Sequence, residues 1–355
     1  MINNTIYRDA LRRVIPEITI EDGSVLVTGA SGLIGSCIVD LLMLANKAGR
    51  KFNVYVTGRN SMKLKDRFNS FSESSNLHTI EQDIRKPLDK RHSYDYIIHG
   101  ASIADPRNYA LYPVETILTN LEGARNVLNY CLKHRNTKVL MMSTFEVYGD
   151  AGKDIYQETD SGIVYLNMIR SGYPESKRCM ELLTRSYVEE YGVNAVIGRL
   201  CSIYGPTMDK TDSKAHAQFI RNALNCEDIV LKSKGEQRRS YCYVIDAVSG
   251  LLCMLAKGVN GEVYNISNES SVASIADVAH LIAQLSGTKV VFNLPDDLET
   301  KGYSIPRNSI LDNTKLKSLG WEGHYDLNSG MTECLTILGI NGCKKTHSAF
   351  KAHHH

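Results

Sequence analysis

Apolar and polar positions run along this chain in two rhythms. Val25-Leu26-Val27 is a short apolar run followed by Gly29, and beyond it Leu33, Ile34, Cys37, Ile38, Leu41 and Leu42 recur at the spacing of one helix face. The pattern predicts a strand feeding a helix. Val54-Tyr55-Val56, Tyr96-Ile97-Ile98-His99 and Val139-Leu140-Met141-Met142 read as later strands, with polar or helical segments between them. Such alternation predicts an α/β fold of Rossmann type, a doubly wound parallel sheet over 23–201, preceded by a helical extension at 1–22. From about Ser202 loop signals become denser, at Gly205-Pro206 and around the short unit Val263-Tyr264-Asn265-Ile266, so a smaller C-terminal α/β substrate lobe is expected over 202–340. Within it, Ser271 to Leu285 predicts a helix with Ile275, Val278, Ala279 and Ile282 on one face. Residues 341–355 read as a tail whose closing His353-His354-His355 is a tag remnant, set aside in any metal argument.

Composition narrows the classes of function. The 41 Lys and Arg against 39 Asp and Glu leave almost no net charge, and no long basic block is present to follow a nucleic-acid backbone. Arg8, Asp9, Arg12 and Arg13 interrupt the N-terminal apolar positions, and no stretch reaches the length of a membrane span. Neither nucleic acid nor membrane is therefore expected as a partner. The nine cysteines are scattered without a CxxC pair, which suggests neither a disulfide framework nor a zinc site and points to the cytosol. No metal is expected.

Thr28-Gly29-Ala30-Ser31-Gly32-Leu33-Ile34-Gly35 sits between the first predicted strand and helix, the context a dinucleotide fingerprint requires. Gly29 permits the tight turn, Gly32 leaves room for a pyrophosphate, and Gly35 allows close packing of helix on sheet. The helix N-terminus then offers N–H donors to the anion. After the second strand the chain reads Thr57-Gly58-Arg59-Asn60, where many NAD-binding proteins place an acid against the ribose 2′-hydroxyl. Arg59 could face the 2′-phosphate of NADP, stack on adenine or point to solvent, so NAD and NADP both stay open. Asp83-Ile84 is placed to meet the adenine, or is a solvated pair.

Tyr173 and Lys177 stand four residues apart in Tyr-Pro-Glu-Ser-Lys, on one face of a helix predicted to begin near Pro174. A free tyrosine titrates near ~10, and bringing it to working pH takes roughly 4 kcal/mol, which an adjacent ammonium and a cationic cofactor could supply. Tyr173 is then a usable base. Ser143-Thr144 follows a predicted strand about thirty residues earlier, and the Thr144 hydroxyl is the preferred group to hold a substrate hydroxyl in line with the tyrosine.

At these residues the chain resembles the extended short-chain dehydrogenase/reductases that act on sugar nucleotides, through TGASGLIG, Ser143-Thr144-Phe145-Glu146-Val147-Tyr148-Gly149, and Tyr173 with Lys177, over roughly residues 23–335. Within that family it looks most like the UDP-glucuronate decarboxylases. Ala101-Ser102-Ile103-Ala104-Asp105-Pro106-Arg107-Asn108-Tyr109, Thr119-Asn120, Arg170-Ser171, Gln218-Phe219-Ile220 and Gly235-Glu236-Gln237-Arg238-Arg239-Ser240 carry that similarity. The resemblance implies catalytic roles for Thr144, Glu146, Tyr173 and Lys177. It implies cofactor contacts from Gly29, Ser31, Gly32, Leu33, Ile34, Gly35, Arg59, Asn60, Asp83, Ile84, Ala101, Ser102, Ile103, Asn120, Tyr173, Lys177 and Cys201. Tyr109, Thr144, Glu146, Ser202, Gln218, Phe219 and Arg239 would face a nucleotide sugar, a UDP-sugar first, with Arg239 on the diphosphate or a sugar carboxylate. A homodimer joined through helices of the first half is also implied.

The chemistry so implied passes through a 4-keto sugar, which would labilise a hexuronate carboxylate and ends with no net redox change. Phe145 stands where dehydratase relatives carry an acid, which disfavours 4,6-dehydration. Ser202 replaces an asparagine usual before the Tyr-Gly-Pro turn. Epimerisation at C4 by the same tyrosine is the alternative reaction.

Overall fold

The computed structural model describes residues 1–89, 91–293 and 307–340; the tail expected at 341–355 lies outside them. Helix α1 (Thr5–Val14) opens the chain, capped by Asn4, whose side chain accepts from the Tyr7 N–H. Its buried Tyr7, Ala10, Leu11 and Val14 lie one helical face apart and bind the extension to the body.

The first half then builds β1 (Ser24–Thr28), α2 (Leu33–Lys47), β2 (Asn53–Gly58), α3 (Ser61–Arg67), β3 (Leu77–Glu81), β4 (Tyr96–His99), α4 (Pro106–Leu111), α5 (Pro113–Lys133), β5 (Lys138–Thr144), the short β6 (Ile155–Tyr156), α6 (Gly172–Tyr191) and β7 (Asn194–Leu200). After them come β8 (Ser202–Tyr204), α7 (Ala215–Leu224), β9 (Ile229–Leu231), β10 (Arg238–Tyr243), α8 (Val244–Lys257), β11 (Val263–Ile266), β12 (Val272–Ser274), α9 (Ile275–Ser286), β13 (Val290–Phe292) and β14 (Ile310–Leu311), followed by the helices Thr314–Lys317 and Leu327–Ile337.

Seven strands form one sheet in the order β11-β7-β5-β4-β1-β2-β3, every pairing parallel. Buried on both faces by helices, its strands are apolar nearly throughout, as at Val25, Leu26, Val27, Ile97, Ile98, Val139 and Leu140. The order reverses between β1 and β4, the point where crossovers leave to opposite sides and open a crevice at the strands' carboxyl ends. No helix of the described residues is long and apolar enough to cross a membrane.

Two boundaries differ from the sequence reading. Val263–Ile266 does not stay in the second lobe: as β11 it pairs with β7 and completes the edge of the main sheet, because its four residues are all buried and continue that sheet's apolar layer. The helix expected from Ser271 begins at Ile275. Val272–Ser274 first pairs antiparallel with β10, and Ser274 starts the helix by a capping box with Asp277. The remaining second-lobe strands form small sheets around β10, and the loop ahead of α7 is fastened back to the first half. There the Thr207 hydroxyl donates to the Leu33 carbonyl (2.9 Å), and the Ser213 N–H donates to Asp105 (2.7 Å). The crevice thus lies between two attached lobes.

Candidate active site

The crevice is a cleft of about 1250 Å3 lined from both lobes. Its floor is the glycine turn. Gly29 has φ +68, and a Cβ there would stand 2.7 Å from the Gly100 carbonyl oxygen, so only glycine lets β1 and β4 approach this closely. A Cβ on Gly35 would fall 2.5 Å from the Gly29 carbonyl oxygen, whereas one on Gly32 would meet only that oxygen at 3.4 Å. Gly32 therefore leaves its side of the cleft open. It is also the N-cap of α2 and contributes no side-chain cap, leaving the first N–H groups of a fifteen-residue helix for an anion. Thr28 Oγ1 accepts from the Gly100 and Ala101 N–H groups (3.2 Å each) and contacts His99 Nδ1 at 2.9 Å, which fixes the second loop against the first. Ser31, Leu33, Ile34, Ala101, Ser102 and Ile103 complete this cradle. Open backbone donors and space at Gly32 fit a dinucleotide pyrophosphate.

Arg59, Asp83 and Ile84 line the far end. The carboxylate of Asp83 is committed to Arg85 (2.7 Å), whose hydrogen bonds hold it below the usual range. Asn60 is spent on capping α3, accepting from the Lys63 N–H at 2.9 Å, and is not part of the cleft wall.

At the other end Thr144 terminates β5 and Tyr173 rises from the first turn of α6. Tyr109, from α4, stacks on Tyr173 with ring centroids 4.3 Å apart and planes 12° from parallel. Its protein surroundings push the Tyr173 phenol above its ordinary value. Burial is the main cause and the Glu146 carboxylate adds to it, outweighing hydrogen bonds from Thr144 and Tyr109. Lys177 does not offset this, since its ammonium donates to the Met142 carbonyl at 2.8 Å and is itself lowered to about 8 by burial.

Glu146 follows Thr144 in a short 3-10 turn and pairs with Arg170 at 3.2 Å. Burial raises its carboxyl, opposed by the cations Arg170, Arg239 and Lys214. The Arg239 Nε and the His216 Nε2 are buried without a hydrogen-bond partner, and both residues line the cleft. His216 is kept neutral, lowered to about 4 chiefly by burial and also by Lys214. This end therefore presents the Arg239 guanidinium and two unanswered nitrogens, with Arg170 paired to Glu146 and Lys214 to Asp212, a setting for an anionic or oxygen-rich ligand.

Cys201 and Ser202 line the cleft as expected, but three other candidates do not. Asn120 is fully buried, accepting from the Ser102 hydroxyl (2.7 Å) and donating to Ser176 (2.9 Å), so it braces α5 against α6. Gln218 donates to the Ser213 carbonyl at 2.6 Å on the exposed side of α7, and Phe219 belongs to the core. One helical turn separates these from Lys214 and His216, which reach the cleft together with Asp212, Ser213 and Ala215. Arg307, also unforeseen, enters beside Asp150 at 3.5 Å. Among the described residues, no cluster of His, Cys, Asp and Glu is arranged to hold a metal.

Residues 25–267 match the model of the NAD dependent epimerase/dehydratase family. The chain is 35% identical over 311 residues to UDP-glucuronic acid decarboxylase 6 of Arabidopsis thaliana, covering 86% of each, and 31% identical over 317 residues to UDP-glucuronic acid decarboxylase 1 of Xenopus tropicalis, covering 88% of this chain and 71% of the relative. Among solved structures, the UDP-glucose 4-epimerase of Thermotoga maritima with UDP-glucose superimposes with a TM-score of 0.76 at 27% identity, over 88% of this chain and 98% of that one. The UDP-N-acetylglucosamine 4-epimerase of Methanobrevibacter ruminantium, at 23% identity with coverage of 90% and 98%, shares the fold with a TM-score of 0.78. A glycine turn with room for a dinucleotide pyrophosphate, a buried tyrosine–lysine helix and these likenesses converge on one conclusion: the chain belongs to the NAD dependent epimerase/dehydratase family and is an enzyme of the extended short-chain dehydrogenase/reductase type.

Proposed function

We propose that this enzyme decarboxylates a UDP-hexuronic acid, UDP-glucuronate first, through a transient 4-keto sugar. The observation that carries the reading is the cationic end of the cleft: Arg170, Arg239 and Lys214 act on Glu146, which in turn acts on Tyr173. An acidic sugar and a diphosphate both find their counter-charges there. The names of the plant and frog relatives support the same substrate.

A bound oxidised nicotinamide would take up the C4 hydride, hold a positive charge beside the phenol until it does, and give the hydride back to C4 at the end. Tyr173 takes the proton of the sugar 4-hydroxyl, and Thr144 holds that hydroxyl in line. Arg239 fixes an anionic group of the substrate while the carboxylate carbon leaves as carbon dioxide. Glu146, raised by burial, is the group able to carry the proton that C5 of the sugar then takes up. Tyr173 finally returns its proton to O4. Phe145, apolar where a dehydratase needs an acid, leaves nothing to expel a C6 hydroxyl.

The cofactor is taken as NAD. Arg59 at the adenosine end makes NADP the alternative, and a tighter NADP titration lost in Arg59→Ala would assign it. The chain is also proposed to pair with a second copy through α5 and α6, where Val114, Leu118 and Leu182 are exposed apolar residues; light scattering showing a monomer would overturn that pairing. A cytosolic location is proposed from the scattered cysteines, of which Cys37, Cys131 and Cys334 keep free thiols, although Cys226 is disulfide-bonded, which the sequence reading did not expect.

The reaction is tested by incubating protein and cofactor with UDP-glucuronate beside other nucleotide sugars. Loss of one carbon dioxide from UDP-glucuronate by mass spectrometry is the expected result. A new species of unchanged mass would replace it with 4-epimerisation, the reaction named for the Thermotoga neighbour.

A further inference from the structure

We infer that Glu181 is the positioning residue for Lys177, a fixed counter-charge held behind the lysine by Ser143 and Arg199. Tyr173, Lys177 and Glu181 lie on successive turns of α6, four residues apart, and all three are buried. Ser143 and Arg199 are direct partners in the register of β5 with β7, so their side chains leave the sheet on one face. Both converge on the same carboxylate. The Ser143 hydroxyl donates to Glu181 Oε1, and Arg199 grips both oxygens, Nη2 to Oε2 at 2.8 Å and Nε to Oε1 at 3.1 Å. Arg199 is fixed in turn by donating to the Glu158 carbonyl (2.9 Å) and lying over the Tyr148 ring at 4.6 Å.

This carboxylate has no substrate to touch and no exposed face, yet it sits one turn beyond the lysine. Lys177 makes no direct ion pair with it and instead donates to Met142, the residue before Ser143. The titratable groups around the lysine are Tyr173 and Glu181 on its own helix and His99 from β4, with Arg199 of β7 engaged by Glu181. Burial drives Lys177 toward its neutral form, Glu181 opposes that, and the charge of Lys177 in turn disfavours a proton on His99. Removing Glu181 would strip away the one opposing influence and leave Arg199 as an unanswered cation behind the lysine. Lys177, one turn of α6 from the proposed base Tyr173, would then be discharged within the working pH range, and the positive charge that loss of the tyrosine proton calls for would go with it.

The inference rests on Tyr173 being the base proposed above, and its test reads Lys177 without substrate. In the full chain with 15N-labelled lysine, the Lys177 signal is assigned by its loss in Lys177→Arg and titrated with pH. Glu181→Gln should move its midpoint down by about one unit, and kcat at neutral pH should fall about tenfold with KM unchanged, the basic limb of the profile shifting to lower pH. Should that variant not fold, the double variant Glu181→Gln with Arg199→Met removes the buried pair together, a change such sites tolerate, and should shift the midpoint the same way. Glu181→Asp, which keeps the charge, should restore most of the wild-type midpoint. A staple joining α6 to β7 would lower thermal stability and leave the titration where it was; an unmoved midpoint in a folded variant overturns the inference. A wild-type enzyme inactive on every hexuronate would remove the reaction and leave the Lys177 titration as informative as before.

Discussion

Tyr173 stands between groups that raise and groups that lower its acidity, and the balance decides how this site works. Burial and Glu146 hold the proton on, while hydrogen bonds from Thr144 and Tyr109 favour its loss. Tyr173→Phe keeps the stacked ring but removes the base, so turnover should fall by about 10²–10⁴ while cofactor affinity, read by fluorescence titration, stays near wild type. The spacing of Tyr173 and Lys177 was legible in the sequence, but the partner of Lys177 was not, because its reach to the Met142 carbonyl, 35 residues away, is set by β5. Asn120, Gln218 and Phe219 lie outside the cleft for a related reason: a motif places a residue on an element, and packing decides which way it faces.

A second residue-scale prediction concerns acid. His99, lowered to about 3, and His216, lowered to about 4, are buried and neutral in the folded chain. In the unfolded chain each titrates near ~6.5, so below that value the unfolded state binds more protons and stability falls with pH down to the folded values. Urea midpoints should therefore drop between about pH 6.5 and 4. The slope should shrink in His216→Gln, and an unchanged slope would show that His216 carries a proton in the folded state.

At the scale of elements, the strand–turn–helix at the start of the sheet follows from sequence because each glycine answers a local requirement. Gly35→Ala places a methyl 2.5 Å from the Gly29 carbonyl oxygen, and α2 must then move off the turn. A loss of about 1–3 kcal/mol in denaturant unfolding is expected, together with weaker cofactor binding. The N-terminal extension was also legible as a helix, but not its anchor. Tyr7 donates to Asp40 (3.0 Å), a fully buried carboxylate of α2 that Arg67 of α3 grips at 2.6 Å. Three separated residues make that contact, and no local pattern announces it. Tyr7→Phe should cost about 1–2 kcal/mol by urea unfolding and leave kcat unchanged, since the network lies outside the cleft. The return of Val263–Ile266 to the main sheet was hidden in the same way: a short apolar run carries no label for the sheet it joins.

The whole molecule brings these scales together, with one lobe built around a dinucleotide turn, the other carrying Lys214, His216 and Arg239, and a loop fastened across from Thr207 to Ser213. Doubly wound order and the cofactor half could be read from alternation and glycine spacing. Of the cationic wall, Arg170 and Arg239 could be read from the segments around them, whereas Lys214 and His216, at the start of α7, carried no such signal. In the proposed reaction this wall serves an acidic sugar whose carboxyl group is lost. Mass spectrometry of UDP-glucuronate after incubation with the protein and NAD, in parallel with Arg239→Ala, reads that loss. A product lighter by one carbon dioxide, formed without net accumulation of reduced cofactor and greatly slowed in the variant, is expected; a product of unchanged mass, formed equally well by both proteins, would rule the reaction out.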